Sequence, residues 1–257
     1  MKFSACIEWL FAEESDDFAR RIQLARQAGL DAVEFWRWTN KDVDAIERAL
    51  GETGMALSGF VAEPMIALTD AANRQAFLDG LARSAALAQR LGAKMLIAQA
   101  GDDLPGKSRA EQRAVLVDCL AGAAEVLAGS GVRLGVEPLN TLVDHQGYYL
   151  SSTSEALDIV EAVGRPEIGI VYDLYHAGVM GEAITALAGR VRHVVHAHVA
   201  DHPGRHEPGS GGLDLGPRLA WLYANGYDGA VGLEYRPLGS TAAALPGVLE
   251  RLRDPAG

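Results

Sequence analysis

The chain has 257 residues, 49% of them hydrophobic and 22% charged, a composition that fits a globular chain with a core large enough to need no covalent staples. Its formal net charge of −11 excludes a surface built to hold nucleic acid or anionic membrane without specificity, because both need basic patches. Two cysteines, Cys6 and Cys119, with no CxxC spacing exclude a disulfide framework and a thiolate zinc knuckle.

In chain order, the N-terminal segment MKFSACIEWLFAEE lacks the long apolar core and cleavage site of a signal peptide. No uncharged apolar run approaches the length of a membrane span, so a cytoplasmic protein with two buried free thiols is expected. Candidate strands follow at Phe3–Ile7, Ala32–Phe35, Ala56–Val61, Met95–Ala98, Arg133–Val136, Ile168–Val171, Val194–Val199 and Ala230–Leu233. Between them lie Ala/Leu/Arg/Glu-rich stretches with helical periodicity, including Asp17–Ala28, Ala71–Leu91, Arg109–Ala128 and Ser154–Val163. Glycines 29, 54, 92, 131, 164 and 226 are placed as C-terminal helix stops, and AGLDAVEF, SGVRLGVE and NGYDGAVGLE repeat one helix–Gly–strand unit. Eight strands alternating with helices predict an α/β chain folded as a single (β/α)8 TIM barrel over residues 1–257. An open doubly wound sheet is the competing architecture. It normally offers a Gly-rich phosphate loop after its first strand, and residues 7–14 contain no glycine. The one long irregular stretch, DHPGRHEPGSGGLD at 201–214, carries Arg205, His206 and Glu207, and loops of that length in compact domains are usually functional.

Four residues organise the chemistry. Glu137, Asp173, His198 and Glu234 each stand at or just after the end of a candidate strand, on four consecutive strands. In a closed barrel such ends converge on the face where active sites lie. Three carboxylates and one imidazole suit a divalent cation of intermediate hardness, Mn²⁺, Mg²⁺ or Co²⁺. A lone acid at a strand end is usually just solvated, but four ligand-type residues in register are hard to attribute to chance. His196 shares a strand face with His198. Trp9 and Phe11 after the first strand, with Trp36, Arg37 and Trp38 after the second, are candidate pocket walls.

The strings FSACIEWLFAE, GLDAVEFW, GVEPLN, IVYDLYH, HVADHPGRHEPGSGGLD and GYDGAVGLEYRP resemble, over nearly the whole chain, the hydroxypyruvate isomerase family of the xylose-isomerase-like barrels. The RxEPGxG loop and the GLEYRP segment are the specific part; the barrel pattern alone is not. The resemblance implies that Glu137, Asp173, His198 and Glu234 hold a divalent metal and that Glu137 and Glu234 form the acid/base pair. It places His176 and Arg205 on the substrate, with Glu207, Trp36 and Glu8 around them. The implied reaction isomerises a small hydroxy-ketone or keto acid to its aldehyde isomer through an enediolate, hydroxypyruvate to tartronate semialdehyde being the family default. The alternative is a ketose or keto-polyol 3-epimerase with the same metal and glutamates. A homo-oligomer acting on a small molecule, with neither nucleic acid nor membrane as partner, is expected. Endonuclease IV shares the barrel, but seven histidines and a charge of −11 argue against a three-metal nuclease.

The chain departs from the family at three points. Relatives commonly carry a histidine near the end of the third strand, where Gly59 and Phe60 stand; His198 occupies a position that is often glutamine in hydroxypyruvate isomerases; and Gly212 stands where a loop glutamate often follows GTG. These leave the expected metal site and proton-transfer pair intact and bear on the substrate.

Overall fold

The computed structural model describes residues 1–253. Eight parallel strands close into a barrel in sequence order. They are β1 (Lys2–Cys6), β2 (Ala32–Phe35), β3 (Ala56–Val61), β4 (Met95–Gln99), β5 (Arg133–Glu137), β6 (Ile168–Asp173), β7 (Val194–Val199) and β8 (Ala230–Leu233). The helices between them are α1 (Phe18–Gln27), α2 (Val43–Thr53), α3 (Arg74–Leu91), α4 (Arg109–Leu127), α5 (Thr153–Val163), α6 (Leu174–Val179), α7 (Leu215–Ala224) and α8 (Thr241–Arg253). Closure is direct: β1 pairs with β8 from Lys2↔Ala230 to Ala5↔Leu233. The expected barrel is therefore present.

The main core lies between the strands and the helices, where residues such as Phe3, Leu96, Leu134 and Ile170 meet Leu81, Leu120, Leu157 and Leu219. Burial of these side chains, each contributing roughly 1.5–3 kcal/mol, drives the assembly. A smaller apolar cluster of Val61, Met95, Ile97 and Val171 packs with Trp36 and Val195. Helix starts are capped as the sequence dictates: Asp17 accepts from the N–H groups of Ala19 and Arg20, and Ser108 with Glu111 forms a reciprocal capping box. Glycines 54, 92 and 164 stand at helix C-caps in the left-handed conformation. The expected helix Ala71–Leu91 divides into a 3-10 turn, Ala71–Asn73, and then α3, because Asp70 caps the tighter turn through Ala72 N–H.

Strand register sets the site. Gln99 is paired with Glu137, Asp173 with His198, and His198 with Gly232. Strands β4, β5 and β6 run one or two residues further than expected, so Glu137 and Asp173 are the last residues of their strands. The 201–214 stretch is ordered around buried Asp201, whose carboxylate accepts N–H groups from His202 (2.8 Å), Gly209 (2.8 Å) and Leu213 (3.0 Å). Among the described residues no helix is long and apolar enough to cross a membrane.

Candidate active site

At the C-terminal mouth of the barrel, ligand-type atoms of Glu137, Asp173, His198 and Glu234 all lie within 4.8 Å of one another, and all four residues are buried. Asp173 is oriented by its neighbours in sequence. It caps α6, with Oδ1 accepting from Tyr175 N–H at 2.7 Å, which leaves the buried Oδ2 without a hydrogen-bond partner among the described residues. His198 Nδ1 lies 3.2 Å from Glu137 Oε1 and 3.9 Å from Glu234 Oε2. Glu234 Oε1 accepts the Trp36 indole N–H at 2.7 Å, and its Oε2 pairs with Arg205 Nη2 at 2.5 Å.

Three buried carboxylates facing one imidazole nitrogen form an acceptor-rich cluster. Burial, opposed by Arg205 and His198 and reinforced by Glu137 and Glu234, pushes Asp173 up to about 7. For His198, burial favours the neutral ring, but Glu34, Glu234 and Glu137 outweigh it and hold its pKa well above the usual histidine range. The cluster thus favours positive charge at its centre. A metal cation would fit it, since Asp173 Oδ2 has an unspent lone pair and His198 Nδ1 faces carboxylates on two sides.

Glu34 on β2 supports His198 from behind. Its Oε2 accepts from His196 Nε2 (2.9 Å) and from Ser58 Oγ (2.9 Å). Its Oε1 lies 2.9 Å from His198 Nε2, an approach bent away from the ring N–H direction. Burial opposes the charge on Glu34, but His196 and His198 more than offset it and hold the carboxyl well below its usual range. Gly232 makes the arrangement possible: a Cβ there would lie 2.3 Å from Glu34 Oε1 and 2.5 Å from His198 Cδ2.

Outside the cluster a cavity of about 340 Å³ opens, lined by Glu137, His176, Arg205 and Glu234 on the polar side and by Trp9, Trp36, Val61, Ile97 and Leu139 on the apolar side. Arg205 is buried, has φ 56°, and its guanidinium lies 5.1 Å from both the Trp9 and the Tyr175 ring centres. Trp9 and Trp36 meet edge to face at 4.9 Å. Gly59 does not line the cavity; a Cβ there would lie 2.5 Å from Met95 Cε and 2.6 Å from its carbonyl oxygen, so close packing against Met95 leaves no room for a side chain at that position.

The expected site residues divide clearly. Glu137, Asp173, His198 and Glu234 converge, and Trp36, His176 and Arg205 border the same space. Glu8 stands behind the wall instead, accepting Trp36 N–H at 3.0 Å and pairing with Lys41 at 2.6 Å. Glu207 accepts the N–H of Leu238, from the segment between β8 and α8, at 3.1 Å and does not line the cavity. Phe11 is buried in the core, and Trp38 donates its indole N–H to Ser84. Cys6 and Cys119 are free and buried; burial, with Glu234 next in effect, holds the Cys6 thiol well above its usual range, so it is no nucleophile. Glu34, Asn140, Asp144 and Asp201 were not legible as site residues. The available signal was an acid inside an otherwise apolar strand, AVEF, and polar residues three positions beyond Glu137 and His198.

A closed parallel barrel with a carboxylate–imidazole cluster at its C-terminal mouth defines a class of barrel enzymes rather than a binding module. Residues 22–253 match the family described as xylose isomerase-like TIM barrel, and the chain belongs to it. It is 31% identical to hydroxypyruvate isomerase of Escherichia coli, over 95% of this chain and 97% of that one. It is 29% identical to 2-oxo-tetronate isomerase of Cupriavidus necator, over 95% and 96%. The crystal structure of an AP endonuclease, family 2, from Brucella melitensis superposes with a TM-score of 0.90 at 30% identity, covering 97% of this chain and 98% of that one. These relatives, matched over nearly their full length, are isomerases, and the chain is an enzyme of that kind.

Proposed function

We propose that the protein is a divalent-metal-dependent isomerase that interconverts a small hydroxy-ketone or keto acid with its aldehyde isomer, with hydroxypyruvate to tartronate semialdehyde as the first reaction to test. The observation that carries this reading is the buried Glu137–Asp173–His198–Glu234 cluster opening directly onto a small cavity. Asp173 Oδ2, His198 Nδ1 and one oxygen each of Glu137 and Glu234 would hold the cation, Mn²⁺, Mg²⁺ or Co²⁺. When bound, such an ion supplies Lewis-acid stabilisation of the negative charge that develops on substrate oxygens.

The chain's own residues supply the rest. Glu137 and Glu234 approach the cavity from β5 and from the end of β8, so one can take the proton from carbon beside the carbonyl and the other can return one to the resulting enediolate. Arg205, held by Glu234 and framed by Trp9 and Tyr175, presents donors to substrate oxygens without moving. Trp9 and Trp36 exclude water from the reacting face. The apolar wall at Val61, Ile97 and Leu139 favours a compact substrate over a fully hydroxylated long one.

A second reading, 3-epimerisation of a ketose or keto-polyol, is favoured by one observation: two carboxylates border the same cavity from different strands. Turnover of hydroxypyruvate by chelator-stripped protein resupplied with Mn²⁺, Mg²⁺ or Co²⁺, followed by product identification, tests both. Tartronate semialdehyde supports the first reading. No conversion of hydroxypyruvate, with a ketose epimerised instead, overturns it in favour of the second.

A further inference from the structure

We infer that Asn140 is a positioning residue that fixes His176 as a hydrogen-bond donor, with its ring hydrogen on Nε2 at the edge of the cavity, so that His176 stabilises charge and takes no part in carrying the proton. This rests on the isomerase reading for the identity of the oxygen, but not for the state of the ring.

The argument is one of donors and acceptors. The backbone N–H of Asn140 points at His176 Nδ1 at 3.1 Å. A backbone N–H only donates, so Nδ1 accepts and carries no hydrogen. The Asn140 side chain says the same. Its Oδ1 accepts the N–H groups of Val143 and Asp144, both at 3.0 Å, which fixes the orientation of the amide. The amide nitrogen therefore faces Asp144 Oδ2 and His176 Nδ1, each at 2.7 Å. Two donors on one ring nitrogen leave Nε2 as the only place for the ring hydrogen.

That hydrogen is unspent. His176 Nε2 is buried and has no hydrogen-bond partner among the described residues. Asp173 Oδ2 is 3.5 Å away and is one of the atoms proposed to face the cation. His176 itself is 2% exposed and borders the cavity together with Glu137, Arg205 and Glu234. A preorganised donor at that place meets an oxygen as it gains negative charge. With Nδ1 occupied by two donors and Nε2 already protonated, the ring has no free site for a proton taken from carbon, and proton transfer falls to Glu137 and Glu234.

The test begins on resting protein, with long-range ¹H–¹⁵N spectra of histidine-labelled enzyme and the His176 signal assigned by its loss in His176→Gln. The expected signature is a neutral ring with hydrogen on Nε2 alone; hydrogen on Nδ1, or on both nitrogens, overturns the proposal whether or not hydroxypyruvate is turned over. Asn140→Ala, which removes the amide donor and leaves only the backbone N–H at Nδ1, is expected to keep hydrogen on Nε2 and to shift the Nδ1 resonance; an unchanged Nδ1 resonance removes the Asn140 side chain from the role. On whichever substrate proves active, His176→Gln, which keeps a donor near the Nε2 position, should retain kcat within about tenfold, whereas His176→Ala loses roughly 10²–10³-fold. Equal losses in the two variants would overturn the donor role. Failure of the isomerase reading shows only in the substrate assay, and failure of this one shows in the spectrum.

Discussion

Glu34→Gln tests the support behind the cation site with the least change in shape. Glu34 is 2% exposed; its Oε2 accepts from His196 Nε2 and Ser58 Oγ at 2.9 Å, and its Oε1 lies 2.9 Å from His198 Nε2 as an ion-pair contact. Glutamine can keep only one accepting oxygen. If that oxygen stays with His196 and Ser58, the amide N–H₂ faces His198 Nε2, and two donors meet in a buried space. The relief open to His198 is to shift its hydrogen to Nδ1, the nitrogen that faces Glu137 and Glu234. Displacing that hydrogen, or leaving the clash unrelieved, costs about 1–3 kcal/mol. At 1.4 kcal/mol per decade this is roughly 10–100-fold in Kd, the range usual for loss of a group that orients a metal-binding histidine. The assay is calorimetric titration of Mn²⁺ into chelator-stripped wild type and variant, with circular dichroism confirming the fold. A variant Kd within threefold of wild type, with the fold intact, would refute the idea that Glu34 orients His198.

Three further outcomes follow from the same structure. Glu137→Gln should lower kcat by at least about 10²-fold on the active substrate, since it removes one of the two proton-transferring carboxylates; unchanged turnover would end the proposed mechanism. Asp201→Ala should expose the 201–214 loop to proteolysis and lower stability by roughly 2–4 kcal/mol, because three backbone N–H groups lose their acceptor; limited proteolysis and thermal melts measure it. Glu63 accepts from Arg37 Nε, Trp38 N–H and Thr39 N–H, each at 2.9 Å, and from Thr39 Oγ1 at 2.8 Å. Burial opposes its charge, but these donors prevail and lower its pKa. Because the folded value lies below the unfolded one, Glu63 contributes stability above about pH 4.3, and that contribution fades as pH falls through the folded pKa. The Tm gap between wild type and Glu63→Gln should therefore shrink as pH falls below that point, and a gap independent of pH would contradict it.

Six of the eight strands were readable because each is a short apolar run after one of the glycine stops at 29, 54, 92, 131, 164 and 226, a local signal that tertiary packing reinforces. The four convergent residues were readable because barrel topology brings consecutive strand ends together, so spacing along the chain stands in for proximity. Glu207 and Glu8 show where that substitution fails. Both sit in the right loops, but a loop residue's direction depends on turns such as the Asp201-centred one, and Glu207 is used by Leu238 N–H and Glu8 by Trp36 N–H and Lys41. Asn140 escaped for a related reason. Its significance lies in accepting from Val143 and Asp144 while donating to His176, a residue 36 positions away.

Glu34 marks the limit most clearly, and it also links closure of the barrel to the chemistry. It stands on β2, yet its partners are on β3 and β7. β2 and β7 are not neighbours: β1 and β8 stand between them on one side and four strands on the other. A contact of 2.9 Å between Glu34 and His196, 162 residues apart, is possible only across the interior of a closed barrel, where opposite walls approach within a side chain's reach. In the competing open sheet the two strands would lie on separate parts of the surface and His198 would lose its backing carboxylate. The glycine at 232, on the strand between, keeps that crossing clear, and any side chain there would press on Glu34 and His198 together. The orientation of the imidazole that faces the cation site is therefore a property of the closed barrel as a whole, set by residues whose roles appear only once β1 and β8 are joined.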